Sequence, residues 1–278
     1  MVFRISMGRI MAKKETSREK TLTLLEKNRG TYISGEEIAE QLQISRNSVW
    51  KAVRALRKEG YKIEAATNKG YCLTVENDIL SVQGIRSYLR MPASGVSAEP
   101  EIFVYEEIAS TNLTAKEFAL QGAAHGTVVI AERQTAGAGR ASGSFFSPEG
   151  GLYMSIIIRP DARGIKPYTE EAASSVAQAI NEVCGVMPVV QNTGDLILNG
   201  KKICGILTES GGEIETGMVH YLVIGIGIHF NTPAAAFPQK LRGTCGSIFP
   251  ELSAAAGTKP ADATRNRLAA EIINRILL

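Results

Sequence analysis

Three unevenly spaced glycines, Gly137, Gly139 and Gly143, surround one arginine, Arg140, in the stretch Gln134–Ser144. Glycine lets a backbone approach an anion closely and leaves its amides free to donate. The loop reads as a clamp for a small anionic group. Further on, Asp195 precedes the pair Lys201–Lys202 across an Asn199–Gly200 turn. A lysine that polarises a carboxylate and an α-phosphate, glycine amides on phosphate oxygens and an aspartate beside Mg²⁺ suit carboxylate activation by adenylation. The same residue types also fit a binding fold without chemistry.

Other chemistries are excluded by pattern. No G-K-[ST] follows the glycines, and Phe145–Phe146–Ser147–Pro148 cannot open a helix, so neither a Walker loop nor a dinucleotide fingerprint is present. His125, His220 and His229 lack metal spacing and read as structural. Cys72, Cys184, Cys204 and Cys245 form no C-x-x-C, which points to buried thiols in a reducing cytoplasm. No apolar run reaches the roughly 18 residues needed to span a bilayer. Met1–Met11 lacks an apolar core and a small-residue cleavage site, so neither a signal peptide nor a membrane partner is expected.

These residues need elements to hold them. The chain has 278 residues, 44% of them hydrophobic, enough for about two domains. Residues 102–105, 127–131, 152–158, 195–198, 202–209 and 220–228 read as strands, and 113–121 and 168–184 as helices. Ser110–Thr111–Asn112 caps the first of these helices. Asn199–Gly200 is a strong hairpin signal. The mixed order predicts an α+β domain with a mixed, largely antiparallel sheet.

The N-terminal part differs in charge. Residues 1–75 carry 15 Lys and Arg against 8 Asp and Glu; the remainder carries 16 against 20. A basic module on an acidic body suggests that only the first part meets a polyanion. Helices are expected over 18–30, from a capping box at Ser34 and Glu37, and over 46–59 after a cap at Ser45. Val49, Val53 and Leu56 give the third helix its apolar face. Ser45, Arg46, Asn47, Ser48, Lys51 and Arg54 lie at its N-terminus or on its polar face, suited to a DNA groove. Two strands around Asn68–Lys69–Gly70 make a wing with Lys69 at its tip. The predicted organisation is a disordered extension over 1–17, a winged helix-turn-helix over 18–75, a linker over 76–100 with a short helix from Val82, and a catalytic domain over 101–278.

Ala109–Ser110–Thr111–Asn112, the Gln134–Pro148 loop, the stretch Asp195–Glu209 and Gly225–Ile226–Gly227–Ile228 follow one another as in biotin–protein ligases. With the winged helix in front, residues 18–278 resemble the bifunctional members, which also repress the biotin operon. The resemblance implies a class II synthetase-like central domain. It also implies a small C-terminal β-barrel, which is expected to be missing after Leu278. The implied substrates are biotin and ATP with Mg²⁺. They form biotinyl-5′-adenylate, which gives biotin to a lysine of a carrier such as that of acetyl-CoA carboxylase. The adenylate-bound protein is implied to form a homodimer on operator DNA.

Carried over by motif, Ser110, Thr111, Asn112 and Gln134 hold biotin, with Gly137 and Gly205 lining its pocket. Gly139, Arg140, Phe145, Lys202 and His229 meet the nucleotide. Lys202, Arg140 and Asp195 are the catalytic set, and Asp195 holds Mg²⁺ or orients the lysine. This chain departs from the family loop G-R-G-R-x-G-R at Ala138, Ser142 and Gly143. It reads Gln191–Asn192–Thr193–Gly194–Asp195 for K-W-[PV]-N-D, and His229 takes the place of an asparagine. A DNA-binding biotin sensor with weakened catalysis is therefore the alternative. A lipoate ligase-like acyltransferase is disfavoured by the DNA module and the glycine loop.

Overall fold

The computed structural model describes residues 15–90, 99–140, 143–160, 168–212, 218–250, 259–260 and 262–278. These divide into two compact units, one ending at Asn77 and one starting at Asp78.

In the first unit, helix α1 (Ser17–Lys27) begins with a reciprocal cap between Thr16 and Glu19. Residues 15–17 thus leave the expected disordered extension and join the folded unit, while the rest of that extension lies outside the described residues. The helix stops at Lys27, short of Gly30. Asn28 donates from its side chain to the Leu24 carbonyl and Gly30 turns the chain at φ 78°. Helix α2 (Gly35–Leu42) is capped by Ser34, which accepts from the Glu37 amide at 3.0 Å. The Glu37 carboxylate accepts from Gln41, so it leaves the expected capping box half made. Helix α3 (Arg46–Lys58) buries Val49, Val53 and Leu56, and Leu22, Leu25 and Ile38 of the same unit are buried as well. Strands β1 (Ile63–Ala66) and β2 (Gly70–Leu73) pair antiparallel as the wing. Gly70 sits at φ 102° with room for no side chain, because a Cβ would meet the Ile33 carbonyl at 2.0 Å.

The second unit starts with a segment that the sequence assigned to a linker. Residues 78–90 are instead packed against the last helix. The Asp78 carboxylate takes the backbone N–H of Arg265 at 2.7 Å and its guanidinium at 3.1 Å. Helix α4 (Val82–Arg86) follows, with Ser81 bonded to Asn266 and Arg90 to Asn274. Arg265 is buried and also pairs with Glu132 at 2.5 Å. Removing one partner of such a buried pair typically costs about 3–5 kcal/mol. The difference has a physical cause: three polar anchors, Asp78, Ser81 and Arg90, hold a stretch whose composition looks loose.

Among the described residues seven strands make one sheet: β3 (Ile102–Ile108), β4 (Val128–Gln134), β5 (Leu152–Ile158), β6 (Val189–Gln191), β7 (Asp195–Leu198), β8 (Lys201–Gly212) and β9 (Val219–Ile228). Their order is β3-β4-β5-β9-β8-β7-β6, and only β3 and β4 run parallel. This is the mixed, largely antiparallel sheet that the sequence predicts. Helices α6 (Tyr168–Cys184) and α7 (Arg265–Leu277) cover one face with the main core. Helix α5 (Thr111–Leu120) packs Ala115 and Ala119 against Val129, Ile157 and Val223 on the other face. Cys72, Cys184 and Cys204 are buried free thiols. Among the described residues no helix is long and apolar enough to cross a membrane.

Candidate active site

On the α5 face, two rows of the sheet form the floor of a cleft. Tyr153, Gly227, Gly205 and Asp195 are successive cross-strand partners in one row; Ser155, Gly225 and Leu207 form another. Two of these glycines make room for neighbouring side chains. A Cβ at Gly227 would come within 2.5 Å of the Phe145 ring, and one at Gly225 within 2.0 Å of Asn112 Oδ1. The alternation of period two sends Ile224, Ile226 and Ile228 into the core and frees the glycine face for a ligand.

The charged end gathers three residues from distant segments. Asp195 meets Arg140 at 2.6 Å and Lys202 at 2.7 Å. Arg140 also donates to the Asn192 carbonyl. That carbonyl is presented by a turn with Asn192 at φ 47° and Thr193 at φ 59°, a left-handed conformation that is strained for a β-branched residue. The Lys202 ammonium lies 5.9 Å from the Phe145 ring centroid. Behind that ring, His229 stacks at 5.0 Å and shares a 2.9 Å hydrogen bond with the Phe146 carbonyl through Nε2. A carbonyl only accepts, so Nε2 carries the proton. Burial pushes the imidazole pKa below its ordinary value, so the ring is neutral at pH 7.

The polar end is a connected network. Gln134 Oε1 accepts from the Thr111 amide at 2.7 Å and the Thr111 hydroxyl at 3.1 Å, while its Nε2 donates to Ser147 at 2.9 Å. The Ser155 hydroxyl faces both Thr111 Oγ1 at 2.8 Å and Asn112 Oδ1 at 2.6 Å. Asn112 Nδ2 donates to Glu209 at 2.8 Å, and Lys116 pairs with Glu209 at 2.7 Å.

Ser110, Thr111, Asn112, Gln134, Gly139, Arg140, Phe145, Asp195, Lys202 and Gly205 all line this cleft. Two expected residues do not line it. Gly137 lies behind the wall, where its carbonyl accepts from the Phe145 amide and a Cβ would strike the Phe145 carbonyl at 2.5 Å. His229 is buried beneath Phe145, so it supports the ring instead of facing the cleft. Asp195 is the one carboxylate among the described lining residues, and both its oxygens are held by cations. Among the described residues no three His, Cys, Asp or Glu gather as a metal site. Sequence reasoning missed Ser155, Glu209, Lys116 and Ser147. Ser155 carries a visible signal, a lone hydroxyl in the apolar strand Leu152–Ile158; Glu209 carries none beyond its place at the end of a motif.

In the other unit, α3 exposes Arg46, Asn47, Lys51 and Arg54, and the wing turn exposes Lys69. Ser45 and Ser48 are spent on the helix cap, with Ser45 Oγ accepting from the Ser48 amide at 3.1 Å. Trp50, which the sequence reading passed over, is half exposed on that face with the Arg54 guanidinium 5.3 Å from its ring centroid.

Comparison with known proteins matches both units. An HTH domain model matches residues 17–72, and the Biotin/lipoate A/B protein ligase family model matches residues 104–229. The chain is 38% identical over 249 residues to the bifunctional ligase/repressor BirA of Bacillus subtilis, spanning 88% of this chain and 74% of that one. It is 30% identical over 206 residues to BirA of Escherichia coli, spanning 72% and 60%.

The chain belongs to the bifunctional biotin ligase/repressor family.

Solved biotin protein ligases share the fold. The biotin protein ligase from Leishmania major in complex with biotinyl-5-AMP aligns with TM-score 0.53 and 24% identity over 64% of this chain and 74% of that one. The Aquifex aeolicus enzyme in complex with biotin and ATP gives 0.51 and 24% over 63% and 68%. Set against the family loop, the described residues on its two sides pair with one another: Ala138 bridges Ser144, the Gly139 amide donates to the Gly143 carbonyl, and the Gly143 amide donates to the Arg140 carbonyl. A Cβ at 143 would lie 2.9 Å from the Arg140 carbonyl, so the family's arginine there requires another loop shape. Ala141 and Ser142 lie outside the described residues.

Proposed function

We propose that this protein joins biotin to ATP and passes the biotin to a carrier-protein lysine, and that its winged helix represses transcription at operator DNA. The observation that carries the ligase reading is the Arg140–Asp195–Lys202 cluster at one end of a cleft whose other end is the Thr111–Gln134 wall. One end suits phosphate and carboxylate, the other a polar head group.

In this reading the biotin carboxylate attacks the α-phosphorus of ATP, and the bond to pyrophosphate breaks. Lys202 neutralises charge on the carboxylate and α-phosphate as it builds up, and Arg140 retains the adenylate. Asp195 keeps both cations in place between turnovers. Mg²⁺ would supply further charge neutralisation on the ATP phosphates, and Asp195, the one carboxylate among the described lining residues, would hold it or orient Lys202. In the second step the carrier lysine's amine attacks the acyl carbon and AMP leaves. The carrier is the biotin carboxyl carrier protein of acetyl-CoA carboxylase, the adenylate-bound form is a homodimer, and the setting is the cytoplasm.

Arg140 and Lys202 are the two cations among the described lining residues, with Ala138 and Gly143 at positions where the family loop has arginines. That observation favours a second reading, slow adenylation with the chain acting mainly as a biotin-dependent DNA binder. Incubation with biotin, ATP, Mg²⁺ and carrier domain separates them. Biotin transfer above an enzyme-free control is expected. Absent transfer with intact biotin-dependent operator binding leaves the sensor reading, and absence of both defeats the proposal.

A further inference from the structure

Glu209 stands outside the residues that line the cleft, yet it holds one that does, Asn112. We propose that Glu209 is a positioning residue whose acceptor-only carboxylate sets the polarity of the Asn112–Ser155–Thr111 wall, so that the cleft selects a head group that donates N–H bonds. The inference rests on the biotin reading above and adds what makes the wall discriminate.

The polarity follows from groups that cannot reverse. An ionised carboxylate only accepts, so Asn112 must turn its Nδ2 to Glu209 and its Oδ1 to Ser155. At the far end the Thr111 backbone N–H only donates, so Gln134 must turn its Oε1 to Thr111. The Thr111 hydroxyl gives its proton to that same oxygen. Ser155 then has one proton for two acceptors, Thr111 Oγ1 and Asn112 Oδ1. The wall is short of protons. A cyclic urea supplies them from its paired N–H groups; a dithiolane ring cannot.

Glu209 stays ionised for a stated reason. Burial opposes its charge, but the hydrogen bonds from Lys116 and Asn112 outweigh it and hold the carboxyl below its ordinary range. Among the described residues Lys116, from α5, is the charged group facing it. A protonated or amidated side chain at 209 could donate, and Asn112 would be free to flip.

The test is calorimetry of the full chain with biotinamide, which does not titrate, and with lipoamide. Wild type should bind biotinamide and not lipoamide. Glu209→Gln should weaken biotinamide binding about ten-fold, the cost of one mismatched buried pair, with its melting temperature unchanged. Lys116→Met keeps the carboxylate but removes its cation. It should move the acid loss of binding to higher pH, an effect that general loosening does not produce. If Glu209→Gln fails to fold, this second variant decides. Binding of biotinamide by wild type with identical affinity and pH profile in both variants overturns the proposal. Wild type that binds neither biotin nor biotinamide defeats the underlying ligase reading and this inference with it.

Discussion

Lys202 and Arg140 share one carboxylate, and the three charges form a unit that no single residue provides. Lys202→Ala removes one of the two cations paired with Asp195, the one proposed to meet the carboxylate and α-phosphate. We expect adenylate formation, followed by pyrophosphate release, to fall by about 10²–10³-fold, the size of loss seen for other preorganised donors. Wild-type rates in that variant would refute the assignment. His229 supports a second prediction. Burial depresses its folded-state pKa, so between that value and the ordinary imidazole value the unfolded chain binds a proton that the folded chain does not. Stability is therefore full above the ordinary value and falls as pH drops through this window. Thermal melts of His229→Asn should lose that component of the acid slope; an unchanged slope would show that the imidazole contributes none. At this scale the sequence offered Arg140, Asp195 and Lys202 as candidates, and the structure brings the three together. The sequence did not show that His229 faces a ring and not a ligand, because one buried neutral imidazole looks like any other in a string of letters.

At the scale of elements, strand β9 does two tasks by alternation. Its isoleucines anchor the core while Gly225 and Gly227 clear the floor beneath Asn112 and Phe145. Gly227→Ala would drive a methyl into the Phe145 ring. We expect the Michaelis constant for ATP to rise at least about ten-fold with the chain still folded, since the ring can swing but its stacking position is lost. An unaltered constant would mean that the ring position is irrelevant to ATP. Caps, the wing and most strands were legible because local chemistry decides them: Ser34, Ser45 and Ser110 each accept from an amide three residues on. Helix α4 was anticipated, but its docking on α7 was not. Asp78, Ser81 and Arg90 find partners more than 180 residues away, and nothing local announces them.

For the whole molecule, the charge asymmetry separates two tasks. The basic residues of α3 are exposed, whereas the ligase cleft is built entirely within the second unit. Arg46→Ala or Lys51→Ala should weaken operator binding and reduce the salt slope by about one if each meets a phosphate, while adenylation is unchanged. Equal loss of both activities would contradict two separable modules. The sequence by itself determined the modules, their charge, the order of motifs and the mixed sheet, since these follow from periodicity, caps and composition. Only the tertiary structure decided that Arg140, Asp195 and Lys202 converge, that Ser155 and Glu209 bond to Asn112 behind the cleft, and that residues 78–90 are part of the second unit. Sheet order β5-β9-β8-β7 brings residues far apart in the chain into one row, and which strands become neighbours is settled by packing the whole core.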